Sequence, residues 1–526
     1  MDWDWTLDFI ERQAGRRPQA TAITDTTSGR AYSYGELAQR GRVAASLLAD
    51  DLGLAKGDRV AVLSRNRVEY FDLFFSTPKT GVVLVPLNTR LTPVELAYQV
   101  KLTGACVLVY ENELQDLAAG LMDQISFDRT VSLGAGGEYE GLMRDGLAWE
   151  EGENPSPAEG WTEDRAERWQ TGTADLSLDD PCLILFTGGT TGPPKGAVIS
   201  HRAILFNMIS EVVSWELTSD WVAPNLLPLF HTGGWNLVTL PLLYAGGRVL
   251  ISRGFDPEET LRLVEEEKCD LLFAAATMFQ MMIDSPSFAG ADLSSLRFAM
   301  SGAAPCPKSV MEAFWAKGVK FCQGYGCTEG GPNNLFVPWQ DLSLEELEGK
   351  WASVGVPFLY CNARIVDPSG REVPPGELGE LILAGPEIFS GYHDNPEETA
   401  NTLRDGWVWT GDIARQDPEG YVYIVDRRKD MFISGGENVY PSEVEALINQ
   451  HPKVVECAVI GVPDDKWGEV GKAFVVSEEA LTVEDLSGFL QDGLAKYKIP
   501  KHIEFVDALL KSGVGKILKK ELRRQK

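Results

Sequence analysis

The sequence predicts an α/β protein: a large N-terminal part of two αβ-layered units with parallel-type sheets and a small β-rich unit, followed by a small α+β C-terminal part. Three observations point there. Short β-branched apolar runs alternate with helical stretches through the first half of the chain; near residue 355 the pattern changes to closely spaced strands with Gly/Pro turns; past residue 430 it becomes a compact helix–strand–helix unit. The length, 526 residues, also exceeds what one hydrophobic core commonly serves.

Taken in order, the apolar runs are Arg59-Val60-Ala61-Val62-Leu63, Gly81-Val82-Val83-Leu84-Val85, 105–110, Cys182-Leu183-Ile184-Leu185-Phe186, Gly247-Arg248-Val249-Leu250-Ile251 and Leu271-Leu272-Phe273. Strands separated by helical stretches imply crossover connections and hence parallel pairing. Residues 140–173 are polar, rich in Gly, Glu and Trp, and lack periodicity, which predicts a surface excursion. Between 355 and 424 the strands are Ala363-Arg364-Ile365-Val366, Glu380-Leu381-Ile382-Leu383 and Tyr421-Val422-Tyr423-Ile424. The C-terminal unit reads as helix 442–450, strand 454–462 and helix 483–494. The boundary is placed at Lys429, giving domains 1–428 and 429–526.

Bulk properties narrow the partners. Apolar content of 44% and charged content of 24% suit a water-soluble globular chain. No apolar run approaches the roughly 18–20 residues that span a bilayer, so no transmembrane segment is expected. The acidic start Met1-Asp2-Trp3-Asp4-Trp5 argues against a secretory signal. Eight cysteines without a Cys-x-x-Cys pair and five histidines without zinc spacing point to a reducing, cytoplasmic setting. The net charge of −29 argues against nucleic acid or an anionic membrane as partner. Acidic residues crowd 111–180, especially Glu150-Glu151-Gly152-Glu153 and Glu163-Asp164, as a solvated face would; a high-salt organism is the other reading.

The most informative stretch is Phe186-Thr187-Gly188-Gly189-Thr190-Thr191-Gly192-Pro193-Pro194-Lys195-Gly196, directly after an apolar run. Glycines let backbone N–H groups converge, and Thr and Lys add donors and positive charge, which is what a polyphosphate needs. It is not the usual P-loop, because prolines precede the lysine and glycine follows it. Taken alone, such a turn is also an ordinary loop.

Four further motifs follow: Tyr325-Gly326-Cys327-Thr328-Glu329, Trp409-Thr410-Gly411-Asp412, Asp426-Arg427-Arg428-Lys429-Asp430 and Gly513-Val514-Gly515-Lys516. With these five in order, the chain resembles the adenylate-forming superfamily of acyl-CoA synthetases, beetle luciferases and peptide-synthetase adenylation domains, over nearly its whole length. The resemblance implies ATP, Mg²⁺ and CoA as reactants, a small carboxylic acid as substrate, and a mobile C-terminal domain; it allows a homodimer. It implies a β/γ-phosphate cradle from Thr187, Gly188, Gly189, Thr190, Thr191, Gly192 and Lys195. Tyr325 would stack on adenine, with Gly302-Ala303-Ala304-Pro305 on the other face. Thr328 would donate to the α-phosphate, and Glu329 would hold the metal. Cys327, where relatives often carry another residue, reads as a small filler. Asp412 would grip the ribose hydroxyls with help from Arg427, and Lys516 would be the catalytic lysine. Lys516 also lies in a Lys-rich tail, and Leu510-Lys511-Ser512 departs from the family's Pro-Lys-Thr. Lys429 matches the family hinge. Gly435 and Gly436 would line the pantetheine tunnel, and Trp467, Tyr497, Arg90 and Lys501 would meet the CoA nucleotide.

His231, in Pro228-Leu229-Phe230-His231-Thr232-Gly233-Gly234-Trp235, falls at the family's aromatic gate, where amino-acid-activating relatives carry Asp; an amino acid substrate is therefore discounted. Trp235, Thr277, Met278, Gly326, Gly331 and Pro332 would complete an apolar slot for a fatty or aryl (cinnamate- or benzoate-like) acid. The expected reaction is carboxylic acid plus ATP to acyl-adenylate, then thiolysis by CoA. A luciferase-type oxygenase and a carrier-protein-loading ligase share the first half-reaction. A non-catalytic nucleotide-binding homologue is disfavoured because Glu329 and Lys516 are both present.

Overall fold

The computed structural model describes residues 8–150, 175–187, 193–434, 437–464, 466–478, 480–491, 494–511 and 517–524. The apolar runs of the first half are strands, with ends moved by a residue or two: Arg59–Leu63, Val83–Pro86, Val107–Glu111, Pro181–Thr187, Arg248–Ile251 and Leu271–Ala275. They read as unbroken runs rather than alternating ones because both faces of their sheets are buried.

The largest sheet has seven strands, in the order Gly391–Tyr392, Lys195–Ser200, Pro181–Thr187, Val83–Pro86, Arg59–Leu63, Val107–Glu111 and Arg129–Leu133. The last five pair in parallel. The first two join antiparallel, so the sheet is mixed where the sequence predicts parallel pairing. The reason is local: the short glycine loop after Thr187 can only return the chain antiparallel, whereas parallel neighbours need a long crossover.

A second sheet orders Ala31–Ser33, Thr21–Asp25, Arg248–Ile251 and Val222–Asn225. A third runs Leu271–Ala275, Phe298–Gly302, Phe321–Tyr325, Leu335–Phe336 and Val356–Pro357, parallel at first and antiparallel in its last two pairings. The β-rich unit is wholly antiparallel and contains Asn362–Val366, Gly379–Ala384, Trp407–Gln416 and Val422–Arg427. The C-terminal unit has its own sheet, centred on Val454–Asp464 and Gly468–Ser477 and flanked by helices Pro441–Ile448 and Val483–Gln491. Phe432, Val439, Val444, Ile448, Val459 and Leu486 form a separate small core there.

One expectation is corrected. The first part of the stretch read as a surface excursion is a helix, Glu138–Glu150, with Tyr139 and Met143 buried. Tyr139 donates to Asp72 Oδ2 at 3.2 Å, and Arg40 clamps the same carboxylate with Nε and Nη2 at 2.7 and 2.6 Å. A helix anchored through a buried polar network shows little hydrophobic periodicity, so the pattern did not register. The remainder of that stretch, from 151 to 173, lies outside the described residues.

Candidate active site

The glycine loop joins two paired strands. Thr187 ends one, Lys195 starts the next, and the two face each other in register. Lys195 Nζ is ion-paired with the Glu398 carboxylate and lies 5.1 Å from the centre of the Tyr392 ring. Gly188, Gly189, Thr190, Thr191 and Gly192 lie outside the described residues.

Tyr325 ends the strand Phe321–Tyr325, and the chain then turns sharply through Gly326 to Glu329. Only glycine fits at 326, because a Cβ there would stand 1.5 Å from the Pro332 carbonyl oxygen. At Gly331 φ is +81° and a Cβ would sit 2.2 Å from the Glu387 carbonyl oxygen. The segment is thus folded against itself, with Thr328 buried. The Tyr392 hydroxyl donates to Glu329 Oε1 at 2.6 Å, and the Phe389 N–H donates to the Glu329 carbonyl at 3.0 Å. Tyr392 therefore touches both the carboxylate and the loop lysine. The sequence reading missed it, since its only signal is a Gly-Tyr pair sixty residues away.

Beyond Tyr325 lies a second chain of contacts. The Tyr325 hydroxyl donates to Asp412 Oδ2 at 2.6 Å, and Arg427 Nε pairs with Asp412 Oδ1 at 2.9 Å. Asp412 and Arg427 are cross-strand partners in the β-rich unit. Burial and the neighbouring Asp412 carboxylate hold the Tyr325 phenol far above its ordinary pKa, so it stays a donor. Gly302 ends the strand Phe298–Gly302, and Ala303 follows with φ +69°, a conformation that non-glycine residues adopt only under restraint.

The donor set fits magnesium. Glu329 uses one oxygen on Tyr392 and, among the described residues, has no cation partner. No group of three or more His, Cys, Asp or Glu among the described residues could hold a metal alone. A lone carboxylate matches a cation that takes one or two carboxylates and completes its shell with substrate phosphate and water.

His231 caps the short helix Thr232–Asn236, its Nδ1 accepting from Gly233 N at 3.1 Å. Thr277 and Met278 open the helix Ala276–Asp284 and are half-buried. Trp235 is placed differently from the expectation. Its ring is 0% exposed, stacked on Phe74 and edge-on to Tyr70 and Phe71, with Nε1 donating to the Leu229 carbonyl. This indole belongs to the core, drawn there by aromatic packing that the motif does not reveal.

In the C-terminal unit Trp467 is 40% exposed, with Lys466 and Lys501 Nζ at 5.0 and 5.2 Å from its ring. Lys501 also pairs with Asp464 at 3.3 Å. Tyr497 is 38% exposed and Arg90 is exposed. At the junction between the two parts, Arg523 pairs with Asp430 at 2.8 Å, and Ser442 N donates to Asp426 Oδ2 at 2.8 Å. Burial and the adjacent Arg427 lower the Lys429 ammonium to about 8. Gly435, Gly436 and Lys516 lie outside the described residues.

A sequence profile described as AMP-binding enzyme matches residues 10–393, and one described as AMP-binding enzyme C-terminal domain matches 443–516. The chain belongs to the AMP-binding enzyme family. Within it, the chain is 40% identical to a feruloyl-CoA synthase of an Amycolatopsis species over 517 residues, covering 98% of this chain and 97% of that one. An indoleacetate–CoA ligase of Aromatoleum aromaticum is 34% identical, with the same shares covered. Among solved structures, ATP-bound MatB from Rhodopseudomonas palustris superposes with a TM-score of 0.85 at 32% identity, covering 99% of this chain and 98% of that one. The AMP-binding enzyme fold, with its large N-terminal and smaller C-terminal domain, is thus present throughout.

Two histidines make stability acid-sensitive. Burial lowers both His201 and His231 to about 4. Unfolded, each takes a proton near 6.5, so between those values the unfolded chain binds more protons and stability falls as pH drops from 6.5 toward 4. For buried His201 the loss approaches about 3 kcal/mol at the lower end. We expect the melting temperature to fall over that window, and to fall less in His201→Gln. An identical drop in the variant would remove His201 from the account. The pH–rate profile should show no inflection near 6.5 from His231.

Proposed function

We propose that the chain is an ATP-dependent acid–CoA ligase acting on an aryl carboxylic acid of the cinnamate type. The observation that carries this is the pairing of two side-chain networks around one folded segment. Tyr325, Asp412 and Arg427 form one network, which would face the ribose. Glu329, Tyr392 and Lys195 form the other, which would face the phosphates. Full-length similarity to a feruloyl-CoA synthase supports the aryl class over the fatty one.

In the first half-reaction a carboxylate oxygen of the acid attacks the α-phosphorus of ATP. The bond to the bridging oxygen of the β-phosphate breaks, and pyrophosphate leaves. Asp412, an acceptor held by Arg427, binds the ribose hydroxyls and fixes the α-phosphate in line with the acid. Lys195 exchanges its Glu398 partner for phosphate oxygens, Thr328 donates to the α-phosphate, and Lys516 brings a cation to the reacting oxygens. Glu329 would hold magnesium, which would supply neutralisation of phosphate charge. In the second half-reaction the CoA sulfur attacks the acyl carbon, the bond to AMP breaks, and AMP leaves. Lys516 must withdraw for the thiol to enter, and Lys429, at the family's hinge position, would be the residue about which the C-terminal domain turns and the boundary between the domains. Trp467, Tyr497, Arg90 and Lys501 then offer stacking faces and cations to the CoA nucleotide. Eight unpaired cysteines support a reducing cytoplasm as the setting. Among the described residues no helix is long and apolar enough to cross a membrane.

The test is AMP release over hydroxycinnamates, benzoates and short- to long-chain fatty acids, with and without CoA. CoA-dependent AMP from an aryl acid is expected. Pyrophosphate exchange with no CoA-driven turnover would move the acceptor elsewhere. A hinge variant adds to this: Lys429→Pro should keep adenylation within a few-fold while thioester formation drops about a hundredfold or more. Unchanged overall turnover counts against domain alternation.

A further inference from the structure

One buried carboxyl takes no part in the site described above. Glu211 lies in the helix His201–Ser214, is 0% exposed, and neither of its oxygens has a hydrogen-bond partner among the described residues. Burial raises its pKa well above the carboxylate range, against a weaker lowering by the nearby Asn333 amide, which stands too far or too poorly aligned for a full hydrogen bond, so it is a neutral group that can both donate and accept. Asn333 directly follows the Gly331-Pro332 turn. Its Nδ2 donates to Asn236 O at 2.7 Å and reaches Asn207 Oδ1 at 3.3 Å. Asn236 closes the short helix that starts beside His231, and its Oδ1 also lacks a partner among the described residues. Three segments thus share one buried polar cluster: the Glu211 helix, the His231 helix, and the turn expected to wall the acid pocket.

The cluster is unbalanced. Glu211 and Asn236 together hold three side-chain oxygens, one of them the carboxyl O–H, without a hydrogen-bond partner within 3.5 Å among the described residues. Buried polar atoms are rarely left so. An apolar acyl chain would supply nothing to them, and an acidic group would add acceptors to acceptors. A hydroxyl on a ring supplies what is missing.

We propose that Glu211 and Asn236 form the far end of the acid pocket and select aryl acids whose ring carries a phenolic hydroxyl, whose O–H donates to the Asn236 or Glu211 oxygen and whose oxygen accepts from the Glu211 carboxyl. This rests on the acid–CoA ligase reading and deepens it by naming the substituent that the pocket recognises. A site built to hydrogen-bond a substrate hydroxyl rejects the analogue lacking it far more strongly than an apolar slot separates chains differing by one methylene.

The test compares acid-dependent pyrophosphate exchange with 4-hydroxycinnamate, 4-methoxycinnamate, cinnamate and decanoate, in the wild type, Glu211→Gln and Glu211→Leu. The wild type is expected to favour 4-hydroxycinnamate over cinnamate in kcat/KM by roughly tenfold to a hundredfold. The methoxy compound, which cannot donate, should group with cinnamate. Glu211→Gln keeps a donor and an acceptor and should retain most of the preference. Glu211→Leu should bring the ratio close to one, chiefly by raising KM for the hydroxylated acid. A ratio unchanged in Glu211→Leu overturns the proposal, as does a wild type indifferent to the hydroxyl, whose orphaned oxygens would then be served by buried water. Should the leucine variant fail to fold, infrared difference spectra read the same contact. The protonated-carboxyl C=O band that Glu211→Gln removes should shift when 4-hydroxycinnamate binds and not when cinnamate does; an unmoved band overturns the proposal. If no acid gives CoA-dependent AMP the ligase reading itself falls, whereas AMP release blind to the hydroxyl removes only this subsite.

Discussion

Lys516→Ala is expected to lower adenylate formation by about a hundredfold to a thousandfold while leaving CoA thiolysis of supplied acyl-AMP within a few-fold of the wild type. The first half-reaction gathers negative charge at the α-phosphorus as carboxylate and pyrophosphate oxygens crowd it. A positioned cation there acts in a water-poor site, where removing one such group commonly costs two to three powers of ten. Thiolysis develops charge elsewhere and, on the proposed domain alternation, proceeds with the C-terminal domain turned away. The measurement is pyrophosphate exchange beside acyl-CoA formation from synthetic acyl-AMP. Equal losses in both assays would withdraw Lys516 from its role and leave it as one lysine of the Lys-rich C-terminal sequence.

Asp412→Asn should be nearly as damaging, through binding. The carboxylate accepts from the Tyr325 hydroxyl at 2.6 Å and pairs with Arg427 at 2.9 Å. An amide keeps one acceptor and turns an N–H₂ toward either the hydroxyl or the guanidinium, so one of the two contacts becomes donor against donor. On the proposed reading the ribose hydroxyls would lose a carboxylate acceptor at the same time. We expect ATP affinity, read by calorimetry, to fall by about a hundredfold, on the scale of charge-assisted hydrogen bonds worth roughly 1.5–3 kcal/mol. The melting temperature should fall too, because Arg427 loses its counter-charge. Unaltered ATP affinity in a folded variant would leave Asp412 as a strand-pairing residue alone.

These two residues show how unevenly the molecule can be read from its chain. Lys516 is legible only as a motif residue, and its function is argued from order along the sequence. Asp412 is, on sequence alone, an Asp after Thr-Gly, which is usually a turn residue. Its bond to Tyr325, 87 positions away, exists because the β-rich unit folds back on the third sheet. Tyr392 was not legible at all. It reaches Glu329 from a two-residue strand added to the edge of the largest sheet, and no local pattern foretells such an edge. Trp235 went the other way: its place in a motif suggested a pocket wall, and three aromatic neighbours hold it in the core.

The chain by itself determined the buried strands, the change to a β-rich unit, the separate C-terminal unit and the order of the five motifs. Those properties follow from short-range physics: periodicity, turn chemistry and the need of glycine at crowded backbone positions. The tertiary structure alone decided the antiparallel edge of the largest sheet, the helix at Glu138–Glu150, and the partners of Glu329, Lys195 and Asp412. It also decided that Glu211 is buried with neither carboxyl oxygen in a hydrogen bond among the described residues. Whether a polar side chain is paired depends on residues distant in sequence that packing brings within about 3 Å, and a linear pattern carries no record of that distance.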